Sequence, residues 1–443
     1  MSFRQAVFTL KARAVRPRTL QLYRELLANQ AKPEHELAWL SQSRARAIAS
    51  FAIQNTAFYR QVYSEQGITT SDLDAPETWT QLPIVDRSMI KDRPQDFQSN
   101  EFSPKTARPA LTGGSTGQPV KVAHDSRVPT LALAWRMYSW WGVQPWDDLA
   151  RVGRWGFGRL DNVKNVLSWW PTKQFYLDAG LIEPSSIDEL LTWVAKNRPP
   201  LLEGYVGALT EVAAHLERRG DRLSGLTAVA TTAAPLTEET RLRLQDAFGA
   251  PVYDEYRAAE VGWLAGECRA QEGLHINSDM RLIEVLDDND QPVPPGEVGS
   301  IVITDLANRV FPLIRYRNGD RGRLLEGGCN CGLGLPRLGK PEGRTTDMLR
   351  TPSGKALGHR LMAMFSAQPD AVRLFQLHQA ADYSITVRVV LNDQAAGAAP
   401  FVESVVEGLR KRVDYEVPVL IEYVDALPYT GGKLKYVISE VPF

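Results

Sequence analysis

From about residue 110 to residue 305 the chain alternates apolar, strand-like runs with amphipathic helices, and few architectures accept that pattern. Parallel strands need long crossovers, usually helices that then cover a sheet face, so the alternation predicts an α/β fold. Ser186 to Asn197 is one such helix. Ile187, Leu190, Leu191 and Val194 fall at i, i+3, i+4 and i+7, with Ser186 as cap and Glu189 completing a capping box. Leu209, Val212, Ala213 and Leu216 repeat the spacing. Leu226 to Thr232 then reads as a strand, and Thr237 to Phe248 as a helix stopped by Gly249. Arg281 to Leu286 and Ser300 to Thr304 are β-rich and separated by Pro292, Pro294, Pro295 and Gly296, which predicts a hairpin-like excursion.

The flanks differ from this middle. Residues 1–105 read as mostly helical, with Ile48, Phe51, Ala52 and Phe58 at helical spacing between Ser43 and Val62, before the turn-rich region of Pro76 and Pro83. Between Glu326 and Pro341 Gly, Pro and Cys dominate, and Arg344 to Phe443 begins a new pattern with strands at Ser384–Leu391 and Val419–Val424. The expected division is a large N-terminal multilayer α/β domain, residues 1–343, and a small α+β domain, residues 344–443.

Lys plus Arg number 51 against 52 Asp plus Glu, which removes a global electrostatic reason to bind nucleic acid or an anionic membrane and points to a small-molecule partner. No stretch approaches the roughly 20 apolar residues of a membrane span. The basic start (Arg4, Lys11, Arg13, Arg16, Arg18) is followed by no apolar signal core, so the chain reads as cytoplasmic.

Three short stretches carry chemistry. In Thr112-Gly113-Gly114-Ser115-Thr116-Gly117 the glycines allow close backbone approach and the hydroxyls and N–H groups donate, which suits a phosphate; the alternative is a surface turn. The stretch lacks the Gly-Lys-Ser/Thr ending of a P-loop. Tyr316 to Asp320 ends an apolar run with a carboxylate that can accept from two vicinal hydroxyls, or is a turn aspartate. Gly431-Gly432-Lys433 puts a cation on a glycine-rich loop, able to reach a phosphate or simply solvated.

In order along the chain stand NTAFYR (Asn55–Arg60), LTGGSTGQP (Leu111–Pro119), Gly204-Tyr205, TTAAPL (Thr231–Leu236), YRAAE (Tyr256–Glu260), PLIRYRNGD (Pro312–Asp320), GRTTDM (Gly343–Met348) and LPYTGGK (Leu427–Lys433). In this series the chain resembles the adenylate-forming, acyl-CoA synthetase-like superfamily, and within it the phenylacetate–coenzyme A ligase and CapK-like branch. The resemblance covers nearly the whole chain. It implies that Ser115, Thr116 and Gly117 contact the phosphates of ATP, that Asp320 and Arg344 reach the ribose, and that Tyr256 and the Ala233, Ala234, Pro235 loop frame the adenine, with Asp254 and Glu255 beside them. Glu260 would hold Mg²⁺, Lys433 would bridge the carboxylate and the α-phosphate, and Lys433, Glu260 and Thr116 would be the catalytic set. Thr345, Thr346 and Asp347 would be the hinge of the small domain.

The activity so implied is ATP-dependent conversion of a carboxylic acid to an acyl adenylate, with transfer to coenzyme A. The alternatives are an amine, hydroxyl or carrier-protein thiol as acceptor, or a nucleotide-binding homologue without turnover; a homodimer is compatible with either. The chain departs from the pattern at Gly113, where a second hydroxyl residue is usual, and at Arg257 and Ala259, where Gly and Thr or Ser are common. Ala259 cannot donate to a phosphate.

Cys268, Cys329 and Cys331 are an odd number in a chain read as intracellular, which disfavours disulfides. With His275 they form a tetrahedral Zn²⁺ ligand set; the alternative is reduced thiols with His275 packed or beside the adenine. Trp140-Trp141 and Trp169-Trp170 lie where the resembled family builds its acyl pocket, although ordinary packing is the preferred reading.

Overall fold

Three helices open the chain: α1 (Phe3–Val15), α2 (Pro17–Asn29) and α3 (Glu34–Asn55). The computed structural model describes residues 2–75, 77–111, 120–153, 159–179, 182–342, 349–353, 356–357, 364–365, 371–392, 397–430 and 433–441. Helix α4 (Ala57–Glu65) follows α3 after a single residue, so the predicted continuous helix through Val62 is two. Thr56 separates them: its backbone is extended and bridges to Ser99, and its hydroxyl accepts from the Tyr59 N–H at 3.3 Å as a cap. The change of direction carries Phe58 onto Phe97, with ring centroids 4.0 Å apart. Short helices α5 (Thr78–Gln81) and α6 (Arg87–Asp92) lead into the antiparallel pair β1 (Ala107–Leu111) and β2 (Lys121–Asp125).

After α7 (Leu131–Trp140) the alternation is regular: β3 (Leu149–Gly153), α8 (Arg159–Trp169), β4 (Gln174–Asp178), α9 (Pro184–Asn197), β5 (Leu201–Tyr205), α10 (Val206–Arg219), β6 (Ala228–Thr232), α11 (Glu238–Phe248) and β7 (Val252–Ala258). Strands β4, β3, β5, β6 and β7 pair in parallel in that spatial order. Helix α9 begins earlier than its hydroxyl signal suggests. Pro184 occupies the first turn with its φ already helical, so Glu183 is the cap and Ser186 its reciprocal partner three residues on. Gly204 is required by packing, since a Cβ there would lie 2.9 Å from the Val152 carbonyl oxygen.

Beyond β7 the sheet turns antiparallel through β8 (Gly262–Glu267) and β9 (Leu274–Ile276). The predicted hairpin forms as β10 (Arg281–Leu286) and β11 (Gly299–Asp305), and β12 (Tyr316–Gly322) completes a separate three-stranded sheet. Strands β13 (Leu324–Leu325) and β14 (Arg337–Leu338) return to β9 and close a nine-stranded mixed sheet. One face is buried by α9, α10 and α11 through Leu190, Val194, Leu209, Val212 and Leu244. The other lies under α7, α1 and α2, where Trp135, Trp141, Phe8 and Leu26 pack. Both faces being covered accounts for the apolar runs of the parallel strands.

The last hundred residues form β15 (Leu349–Arg350), β16 (Ala356–Leu357), β17 (Val372–Gln379), β18 (Ile385–Leu391), α12 (Ala398–Arg412), β19 (Val419–Tyr423), β20 (Tyr429–Thr430), β21 (Lys433–Leu434) and β22 (Val437–Ser439). A sheet of order β19-β18-β17-β22 packs Leu377, Val387 and Val389 with Val402, Val406 and Leu409 of α12 into a core of its own. Among the described residues no helix is long and apolar enough to cross a membrane.

Candidate active site

Open α/β sheets bind ligands at the carboxyl ends of their strands. At the end of β6 the segment Ala233–Pro235 leaves the sheet, with Ala233 and Pro235 exposed and Ala233 held at φ 76°, a conformation that strains a residue with a Cβ. On the adjacent β7, Tyr256 donates its phenol proton to Asp320 Oδ2 at 2.6 Å. Asn318, two residues before Asp320 on β12, donates Nδ2 to both the Tyr256 oxygen and Asp320 Oδ2 at 2.6 Å, and its Oδ1 accepts from the Asp320 N–H at 3.0 Å. The predicted hydroxyl-binding carboxylate is therefore buried and oriented by two side chains from different sheets.

Glu260 lies just past β7, buried, and accepts from the Tyr316 phenol at 3.1 Å; the Arg87 guanidinium of α6 stands 3.9 Å from it. His124 of β2 sits 3.0 Å from the Ala259 carbonyl oxygen, and burial lowers its pKa. Sequence reasoning assigned no role to Asn318, Tyr316 or Arg87. The first two lie inside a motif it singled out, whereas nothing near Arg87 marks it.

Asp254 and Glu255 flank these groups on opposite faces of β7. The hydroxyl of Thr231 is 3.4 Å from Asp254 Oδ1, and the Asp254 carboxyl is pushed up to about 7 by burial and by the neighbouring Glu267. Glu255 pairs with Arg257, which also meets Glu203 Oε1 at 2.9 Å. Burial raises Glu255. Burial would raise Glu203 too, but Arg257 and Arg151 outweigh it and hold that carboxylate below its usual range.

The phosphate-loop residues Ser115, Thr116 and Gly117 lie outside the described residues, as do Arg344, Thr345, Thr346 and Asp347. The Lys433 side chain is likewise outside them, as are Gly431 and Gly432; the backbone of Lys433 pairs with Thr430 across that glycine connection.

Cys268 follows β8, His275 is on β9, and Cys329 and Cys331 lie between β13 and β14. The four ligand atoms fall within 4.8 Å of one another. Cys268 and Cys329 sulfurs are 3.6 Å apart, and Cys331 Sγ is 3.2 Å from His275 Nε2. His275 Nδ1 lies 3.0 Å from the Leu335 carbonyl oxygen; donation there leaves the Nε2 lone pair pointing into the cluster, as metal-binding histidines require. The sulfur spacing suits the edge of a Zn–S tetrahedron, about 3.8 Å for bonds of about 2.3 Å. His275 is thus with the thiols and not with the adenine.

Trp140, Trp141 and Trp169 pack, whereas Trp170 is exposed. Trp141 stacks on Tyr253 at 5.1 Å and donates to the Glu267 carbonyl, Trp140 donates to Gln30, and the Arg16 guanidinium lies 4.2 Å over Trp169.

No family model matches the chain. Among curated proteins it is 24% identical over 358 residues to a phenylacetate-coenzyme A ligase of Thermus thermophilus, covering 78% of each chain. It is 23% identical over 413 residues to one of Aromatoleum evansii, covering 88% of this chain and 89% of that protein. Among solved structures, 2-hydroxyisobutyryl-CoA ligase in the postadenylation state in complex with R3-HIB-AMP superposes with a TM-score of 0.77 at 20% identity, over 93% of this chain and 91% of that one. The α/β fold is that of the adenylate-forming ligases, and the sequence resemblance and the fold agree.

Proposed function

We propose that the chain is an adenylate-forming acid–thiol ligase, which joins a carboxylic acid to the AMP moiety of ATP and then passes the acyl group to the thiol of coenzyme A. The observation that carries this reading is the convergence of Tyr256, Asn318 and Asp320 at the carboxyl end of the parallel strands, beside buried Glu260. Asp320, its carboxylate oriented by the phenol and the amide, is an acceptor for the two ribose hydroxyls. Ala233–Pro235 and Tyr256 frame the adenine, with the backbone of Asp254 and Glu255 behind them. Glu260 offers the hard oxygen that Mg²⁺ prefers and would hold that ion, which neutralises phosphate charge when bound. Ser115, Thr116, Gly117 and Arg344 take the phosphate and ribose contacts that the resemblance implies.

The reaction needs no general base, because a carboxylic acid of pKa near 4 is already an anion at neutral pH. Its oxygen attacks the α-phosphorus and pyrophosphate leaves. The thiolate of coenzyme A then attacks the acyl carbon and AMP leaves. Charge control at the phosphoryl oxygens is the main demand, and Lys433 with the loop donors meets it. The separate core of the C-terminal sheet supports a division at about residue 344, with the small domain carrying Lys433. The cytoplasm, which supplies ATP and coenzyme A, is the expected compartment. Acid-dependent exchange of labelled pyrophosphate into ATP should occur, and a thioester should form when coenzyme A is added; no exchange over a broad panel of acids overturns the reading.

The Cys268, His275, Cys329 and Cys331 cluster supports a structural Zn²⁺. Protein purified without chelator should hold about one zinc per chain, and changing Cys329 and Cys331 to Ser should remove it and lower the melting temperature. Absence of metal after expression with ample zinc would remove the site.

A further inference from the structure

The face of the sheet beneath α7 holds an ionic cluster that the adenylation chemistry does not use. Parallel register aligns Arg151 of β3 with Glu203 of β5, and Glu203 with Ala230 of β6. Glu255 and Arg257 of β7 join them, and Tyr138 of α7 donates to Glu203 from above. Arg257 lies over Trp263, its guanidinium carbon 3.3 Å from the ring centroid, and one of its nitrogens serves both Glu203 and Glu255. The guanidinium is thus fixed in place before any ligand arrives.

Among the described residues three buried atoms of this cluster have no hydrogen-bond partner: Arg151 Nε, Glu255 Oε1 and Arg257 Nε, the last two carried by neighbouring residues of one face of β7. Unmet acceptors and donors are costly in a protein interior, and a third polar group that reached them would relieve that cost. Glu255 is fully buried, while the Arg257 side chain is 23% exposed, so Arg257 is the member that an incoming molecule meets. It is also, with Gly113 and Ala259, one of the positions at which the chain departs from the pattern it resembles, next to Tyr256 in the strand proposed to frame the nucleotide.

Resting on the ligase reading, we propose that Arg257, backed by Glu255, is the specificity-determining contact of the acyl pocket, and that it selects an acid carrying a second carboxylate. Two guanidiniums face two carboxylates here, and burial favours the protonated form of Glu255, which leaves one positive charge in excess. A second substrate carboxylate balances that charge, accepting from Arg257 Nε and from the Glu255 carboxyl proton. An ammonium group would add a third cation beside Arg257, and an apolar tail would leave Arg257 Nε and Glu255 Oε1 unmet.

The test compares dicarboxylic acids of increasing length, aliphatic and aromatic, with their monomethyl esters. Two readouts are used: pyrophosphate exchange, and the shift in melting temperature on adding the acid. The wild type should exchange with the best diacid at least about tenfold faster than with its monoester. In Arg257→Leu and in the more conservative Arg257→Gln that ratio should fall to about one, with melting in the absence of ligand confirming that both variants fold. Exchange that runs on monocarboxylic acids, with a ratio unchanged by either variant, sinks the assignment and leaves the ligase reading standing. Stabilisation by diacids that is lost in both variants, without any exchange, supports the pocket and sinks the ligase reading. Neither exchange nor stabilisation by any diacid overturns the pocket.

Discussion

Asp254 carries a carboxyl whose surroundings penalise its charge. Burial and then Glu267 raise its pKa to about 7, while Arg241 and Lys340 pull the other way. The unfolded value is near 4, so between about pH 4 and pH 7 the native state holds a proton that the unfolded chain has lost. Stability therefore falls as pH rises through that window and levels off above it. Asp254→Asn, neutral at every pH, should be more stable than the wild type at pH 8, by up to a few kcal/mol, and should converge with it near pH 4. Urea unfolding at both values measures this; equal stabilities at pH 8 would refute it. At this scale Tyr256, Glu260 and Asp320 could be singled out as candidates because each sits in a short contiguous pattern. Their supports were not. Arg87 reaches Glu260 across more than 170 residues of chain, and Glu203 meets Arg257 across 54, separations at which sequence pattern says nothing about contact.

Helix α10 could be read from spacing and helix α11 from its stop at Gly249, because a 3.6-residue period and a left-handed stop are local properties. The break at Thr56 and the early start of α9 were missed, since each depends on a competing signal: a pairing with Ser99 in one case, proline at the first turn in the other. Least legible was the return of β14 to β9, two residues long and visible only once the cysteine-bearing loop has folded. That loop also holds the α2–α3 turn. The Gly334 N–H donates to the Gln30 carbonyl at 2.9 Å, and a Cβ on Gly334 would stand 1.9 Å from the Lys32 carbonyl oxygen. Backbone meets backbone there, so Gly334→Ala should cost about 1–3 kcal/mol in urea unfolding by pushing the turn away from the loop. An unchanged midpoint would show that the turn moves freely.

At the scale of the molecule, the N-terminal cores and the C-terminal core share no strand among the described residues. Lys433 lies in the C-terminal segment, about ninety residues beyond Arg344, and on the proposed reading it serves the first half-reaction only when the small domain is docked in one orientation. Lys433→Ala should abolish acid-dependent pyrophosphate exchange, a loss of several kcal/mol in transition-state stabilisation, yet still convert pre-formed acyl adenylate to product. An equal fall in both half-reactions, with folding intact, would end the two-orientation account.

The first hundred residues are completed by partners that lie far along the chain. Asn29 donates to Asp279, the Tyr59 phenol to the Pro312 carbonyl, the Val85 N–H to Arg315 and the Ser99 N–H to Val310, while Gln30 waits for Gly334. On the ribosome these helices emerge with apolar faces that they cover only in part among themselves. At about 5–20 residues per second, the segments that do so follow on the order of tens of seconds later. The last stretch to arrive brings Cys329 and Cys331 as well, so closure of the N-terminal helices and completion of the thiol cluster belong to the same moment of synthesis.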